Sequence, residues 1–155
     1  AQAVQRFLMY AAERLHEAGY YVSGDVFGEC ANAYVTACGQ YWPAISAVVD
    51  AISGMPYPDH YSARGDYRPW EHPYDTVHMF GESAAARQSE TASPAAVRTW
   101  IQCYNAIREP YNHYGAAELA DEVRALRDTG NTGGFMTWNG ASDIGKYAEV
   151  IGALN

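Results

Sequence analysis

The sequence predicts an α/β fold with parallel strands. Stretches with the i, i+3, i+4, i+7 apolar spacing of helices alternate with short runs rich in β-branched and aromatic residues. The strand starts fall near 20, 51, 97 and 133, far enough apart for a helical crossover each time. A helix stands ahead of the first strand, so the order is one helix followed by four consecutive βα units. Units of this kind form either a small open sheet or half of an eight-stranded barrel, and periodicity does not choose between the two.

Residues 2–17 carry Val4, Phe7, Leu8, Ala11, Ala12 and Leu15, the stripe of a helix that buries one face, and Gly19 ends it. The first strand, 20–26, belongs to the run YYVSGDVFG and delivers Asp25 beside Phe27 and Gly28, where the chain must turn. A helix over 41–50 presents Trp42, Ile45, Val48 and Val49. The second strand, 51–57 (AISGMPY), runs into PDHY, where Pro56 and Pro58 stop pairing and expose Tyr57, Asp59, His60 and Tyr61. A helix from Pro73 to about Glu90 has Pro in its first turn. In the third strand, 97–105 (VRTWIQCYN), Arg98, Trp100, Gln102 and Tyr104 share one parity, the one expected to face a site. The stripe of the next helix, 116–128, is Leu119, Ala120, Val123 and Leu126. The fourth strand, 134–139 (GFMTWN), ends on Trp138 and Asn139, and Ser142 is the expected cap of a last helix.

Residues 1–155 are expected to form a single domain, long enough to enclose a core. Apolar residues make up 48% and charged residues 18%, which excludes the composition of a disordered chain. A net charge of -8 argues against a nucleic-acid partner, whose phosphates would be repelled. No apolar run is long enough for a membrane span. The chain opens on Ala1 with no secretory leader, so residues upstream are expected to have been removed. Neither a Gly-rich phosphate loop nor a G-x-S-x-G elbow occurs, and the cysteine spacing fits no zinc motif, so no cofactor and no metal are expected. Cys30 and Cys38 share one loop and could either pair or remain thiols; a disulfide would mean an oxidising setting. Cys103 reads as a buried thiol in a strand.

The candidate site follows from the strand ends, because in parallel α/β folds the loops beyond them converge on one crevice. Asp25 is the leading acid, with capping of its own turn as the alternative. Glu29 reads as a solvated loop acid. Tyr57, Asp59 and His60 suit hydroxyl binding or the tuning of a carboxylate. Asp50 precedes its strand, at the opposite end of the sheet, and reads as structural. Fourteen per cent of residues are aromatic, which suits stacking on sugar faces as well as ordinary packing.

Taken together, VSGDVFG, GQYWPAISAVVDAISGMPYPDHY, VRTWIQCYN and GGFMTWN resemble the last four strands of the putative glycoside hydrolase domain family, a (β/α)8 barrel of the α-amylase-like kind. The four motifs run in order over almost the whole chain. Gly24 stands where the family has Ala, Gly54 where it has Pro and Asp59 where it has Ser, and the loop holding Cys30 and Cys38 is enlarged. The resemblance implies the C-terminal half of a TIM barrel, strands five to eight preceded by the fourth helix, with the earlier half outside this chain.

It further implies a carbohydrate substrate, an extracellular or cell-envelope polysaccharide, and hydrolysis by two carboxyl groups. Asp25 would be one of them and the other would lie in the missing half. Trp100, Gln102, Trp138 and Asn139 become candidates for sugar binding. A half-barrel leaves open edges, so the remaining half or a second copy of the chain is an expected partner. Two rival functions are a non-catalytic carbohydrate-binding or assembly module on a degenerate barrel and an open α/β sheet that binds a small ligand.

Overall fold

The computed structural model describes residues 1–131 and 133–154, so the expected helix stop across 129–134 lies in part outside the described residues. Its elements are α1 (Gln2–Glu17), β1 (Ser23–Phe27), α2 (Trp42–Ser46), β2 (Ala51–Met55), α3 (Pro73–Ser89), β3 (Ala96–Val97), β4 (Thr99–Gln102), α4 (Ala116–Asp128), β5 (Phe135–Trp138) and α5 (Ile144–Val150). Every strand pairing is parallel. β1 pairs with β2 from Ser23↔Ala51 to Phe27↔Met55, β2 pairs with β3, and β4 pairs with β5 from Thr99↔Phe135 to Gln102↔Trp138. β3 and β4 are one run of chain that changes neighbour at Arg98, whose N–H still donates to the Ile52 carbonyl (3.0 Å). The four predicted strands therefore lie side by side in chain order, an arrangement compatible with a partial βα barrel.

Alternation along the strands gives the sheet two unlike faces. Gly24, Val26, Ile52, Val97 and Ile101 are buried on one face, against two apolar clusters. The first cluster includes Trp42, Ile45, Val49, Phe80 and Ala84; the second includes Val77, Tyr114, Leu119, Val123 and Leu126. α3 joins them, since Phe80 belongs to one and Val77 to the other. On the opposite face Ser23, Asp25 and Phe27 of β1 are exposed.

Several boundaries differ from the sequence reading for local reasons. β1 begins at Ser23, and Tyr20 and Tyr21 stand exposed ahead of it. α2 is only five residues, because its N-terminal residues include Pro43 and the chain leaves the helix at Ala47 to enter β2. Asp143, not Ser142, caps α5, its carboxylate accepting from the Gly145 and Lys146 amides. α1 docks through Val4, Leu8 and Ala12, whereas Phe7 and Leu15 remain exposed.

Beneath the sheet, at the strand starts, the Asp50 carboxylate accepts from the Val22 amide and lies 2.7 Å from His16 Nε2. The His16 bond first and the Val22 amide second hold that carboxyl below its ordinary range. Asp50 is thus a joint between β1, β2 and α1.

Gly54 has a steric role. A Cβ there would fall on the Phe80 ring, whose Cε2 would be 2.7 Å away, and Phe80 is itself packed edge-on against Trp42. We expect Gly54→Ala to destabilise the fold by about 1–3 kcal/mol, the usual cost of overpacking a filled core. Thermal unfolding measures this, and an unchanged midpoint would show that Phe80 has room to move.

Candidate active site

The parallel strands end together at Phe27, Met55, Gln102 and Trp138, and the loops beyond them form one rim. Asp25 stands one strand pair below that rim on the exposed face. It is the only acidic residue on any strand among the described residues. The Trp100 indole N–H donates to Asp25 Oδ1 (3.1 Å), bridging from β4 across β2. Trp100 also meets Trp138 edge-to-face, with centroids 5.9 Å apart. Trp138 is 46% exposed, so the group combines an accessible carboxylate with an accessible aromatic face. Register explains the cluster: Asp25, Trp100 and Trp138 all lie on the parity opposite to the helix-facing residues.

Next to this cluster, Asp59 and Gln102 belong to a buried polar network. Asp59 is fully buried; the Tyr104 hydroxyl donates to its Oδ1 (2.8 Å) and the Ile107 amide to its Oδ2 (3.3 Å). Gln102, also fully buried, accepts from the Asp59 amide through Oε1 (3.3 Å) and donates to the Tyr104 carbonyl (3.2 Å). Asp59 and Gln102, expected to bind substrate, thus have their polar groups bonded within the protein, where they position the second and third loops. Asn139 is buried, and its amide donates to the Asp143 carbonyl (3.1 Å) at the start of α5.

His60 is more than half exposed. It lies 3.4 Å from the Tyr104 hydroxyl and packs edge-on against Tyr57. Tyr57 is buried, and burial first, with the charge of Asp25 second, raises its phenol well above the ordinary value. It is thus a neutral wall beside Asp25.

Sequence reading missed Glu122. This α4 residue is fully buried; its carboxylate accepts from the Gln102 amide (2.9 Å) and is hydrogen-bonded to the Tyr114 hydroxyl. Burial, partly opposed by those two bonds, raises its pKa to about 8. A signal was present: Glu122 lies three residues after Leu119 and four before Leu126, on the apolar stripe, while Ala120, assigned to that stripe, is exposed.

The alternative of a Cys30–Cys38 disulfide is not realised, as both thiols are free. Cys30 is turned into the core, where burial raises its pKa to about 12, whereas Cys38 is exposed and lies 3.1 Å from the Thr36 hydroxyl. Among the described residues no group of three His, Cys, Asp or Glu side chains could hold a metal ion. Nor is any helix there long and apolar enough to cross a membrane.

Residues 1–144 match a family model described as a putative glycosyl hydrolase domain. No curated protein matches the chain.

Proposed function

The chain belongs to the putative glycosyl hydrolase domain family, and from that membership we propose that it contributes the Asp25 side of an active site that cleaves glycosidic bonds of an extracellular or cell-envelope polysaccharide. The observation that carries this reading is the grouping of Asp25, Trp100 and Trp138 on the open face at the strand ends. An exposed indole ring offers a platform for the C–H face of a sugar. The Trp100 N–H fixes one carboxylate oxygen of Asp25, leaving the other for the reacting sugar. In that role Asp25 is the ionised partner, attacking or stabilising the anomeric carbon as positive charge develops there. A second carboxyl protonates the departing glycosidic oxygen.

Asp59 and Glu122 do not supply that proton, since both oxygens of each are bonded within the protein. The second carboxyl would come from the other half of a (β/α)8 barrel. Parallel sheets are ordinarily covered on both faces. Here Ser23, Asp25 and Phe27 of β1 and Trp138 of β5 are exposed on the Asp25 face, and among the described residues β1 and β5 each pair on one side only. Residues 1–155 alone should therefore associate, with themselves or with the complementary half. Light scattering tests this, and a stable, strictly monomeric species would count against a half-barrel.

Activity is tested with a protein that joins this chain to the preceding strands, by release of reducing ends from a polysaccharide panel. Release supports the hydrolase. Sugar binding with no release would favour a non-catalytic carbohydrate-binding or assembly module, the reading to which a single strand acid also points.

A further inference from the structure

A cavity of about 820 Å³ lies beyond the ends of β1 and β2, between the loop after β1, the loop after β2 and α3. Its volume falls in the range of small-molecule sites. Tyr34, Tyr61 and Tyr67 line it together with Glu29, Arg64 and Asp75. These three charged groups are exposed, and among the described residues none has a hydrogen bond or ion pair to the protein, unlike the bonded carboxylates of Asp59 and Glu122.

The cavity adjoins the end of β1. Gly28, on its wall, directly follows Phe27, the exposed last residue of β1. Gly28 follows Asp25 by three positions, about 10 Å of extended chain. Gly28 also permits the packing of this wall, because a Cβ there would collide with the Tyr61 hydroxyl and with the backbone of Pro56. Burial and the charge of Glu29 push the Tyr61 phenol up to about 12, so it remains a neutral hydroxyl at physiological pH.

We propose that this cavity is a second sugar-binding subsite, which holds a neutral segment of the glycan chain one or more units away from the bond at Asp25. Tyr34 offers an exposed ring and Tyr67 the face not stacked on His72, Glu29 and Asp75 accept hydrogen bonds from sugar hydroxyls, and Arg64 donates to ring or hydroxyl oxygens. Both kinds of group are needed for a sugar: a flat apolar ring to meet its C–H face and unspent polar atoms to meet its rim. The proposal rests on the glycan-cleaving reading of the Asp25 face and adds to it a preference for longer chains.

The test is isothermal titration calorimetry of the chain with disaccharides and hexasaccharides of the malto-, cello- and chito-series. It compares the unaltered chain with the double variant Tyr34→Ala/Asp75→Asn and with Trp138→Ala. Tyr34 is 56% exposed and Asp75 is exposed on the first turn of α3, so the double variant leaves the core untouched. The unaltered chain is expected to bind the hexasaccharide of one series at least tenfold more tightly than its disaccharide. In the double variant that preference is lost while disaccharide affinity is kept; in Trp138→Ala the disaccharide affinity is lost. A double variant that keeps its hexasaccharide preference overturns the subsite but spares the Asp25 reading. Failure of every sugar to bind the unaltered chain overturns both.

Discussion

Asp25→Asn is expected to lower kcat for polysaccharide hydrolysis by about 10²–10⁴-fold, the range associated with loss of a positioned catalytic group, while the fold is retained. The two halves of that expectation have separate causes. Asn keeps a carbonyl oxygen where Asp25 Oδ1 accepts the Trp100 indole N–H, so the contact that ties β1 to β4 survives. Asp25 is also exposed and part of no buried network, so no core group is left unpaired. What disappears is the negative charge that meets the cationic character of the sugar ring in the transition state. Initial-rate kinetics on the joined protein proposed above, with a thermal melt as control, measures both. A kcat within threefold of the unaltered protein would remove Asp25 from the chemistry. A large fall in melting temperature would instead assign it a structural task. Trp100→Phe separates the neighbouring role, because it keeps a ring next to Trp138 and removes only the donor to Asp25.

The alternation of strands and helices was legible in the sequence because it follows from period-two runs and from the spacing of helical stripes, whereas the side-by-side strand order was implied only by the family resemblance. Asp25 was read from its place at a strand end and Trp100 and Trp138 from the resemblance, and because each sits on a strand, its parity fixes the face it shares with the others. The residues after the strand ends were harder, since a Pro-kinked turn such as Pro58–His60 carries no periodicity that tells a side chain pointing out from one pointing in. His60 points out and Asp59 is buried, though they are neighbours. The surroundings of Asn139 were illegible for a related reason: one residue past the exposed Trp138, it is buried and its amide donates to the backbone at the start of α5. Glu122 was hidden by the habit of treating acids on a helix as solvated. Only its pairing with a strand amide and with Tyr114 explains its burial, and these contacts span 20 and 8 residues of sequence.

Glu122 therefore governs the second large expectation, a stability that declines as pH rises. In the unfolded chain its carboxyl titrates near 4.5, and in the folded protein near 8. Between those values the native state holds a proton that the unfolded state has lost. Its contribution is complete below about pH 4.5 and is lost as pH climbs through about 8. At roughly 1.4 kcal/mol per pH unit of separation, the loss approaches about 5 kcal/mol at the upper end. Asp50 and Glu149 act with the opposite sign: their partners hold both carboxyls low, so their share is lost on acidification.

Comparison with Glu122→Gln isolates the Glu122 share. Gln keeps an acceptor for the Gln102 amide and a polar group for Tyr114 but cannot ionise. The variant should match the unaltered chain near pH 5 and become the more stable of the two by pH 8. Denaturant midpoints measured from pH 5 to 8.5 give the comparison, and parallel curves for the two proteins would refute the buried-proton account. Glu122→Leu should be destabilised at every pH, because it strands the Gln102 N–H and the Tyr114 hydroxyl at about 1–3 kcal/mol each. The Gln102 amide closes β4 only two residues beyond Trp100. Glu122→Leu, which removes that acceptor, therefore loosens the strand that holds the indole against Asp25, and hydrolysis by this variant should weaken together with its fold.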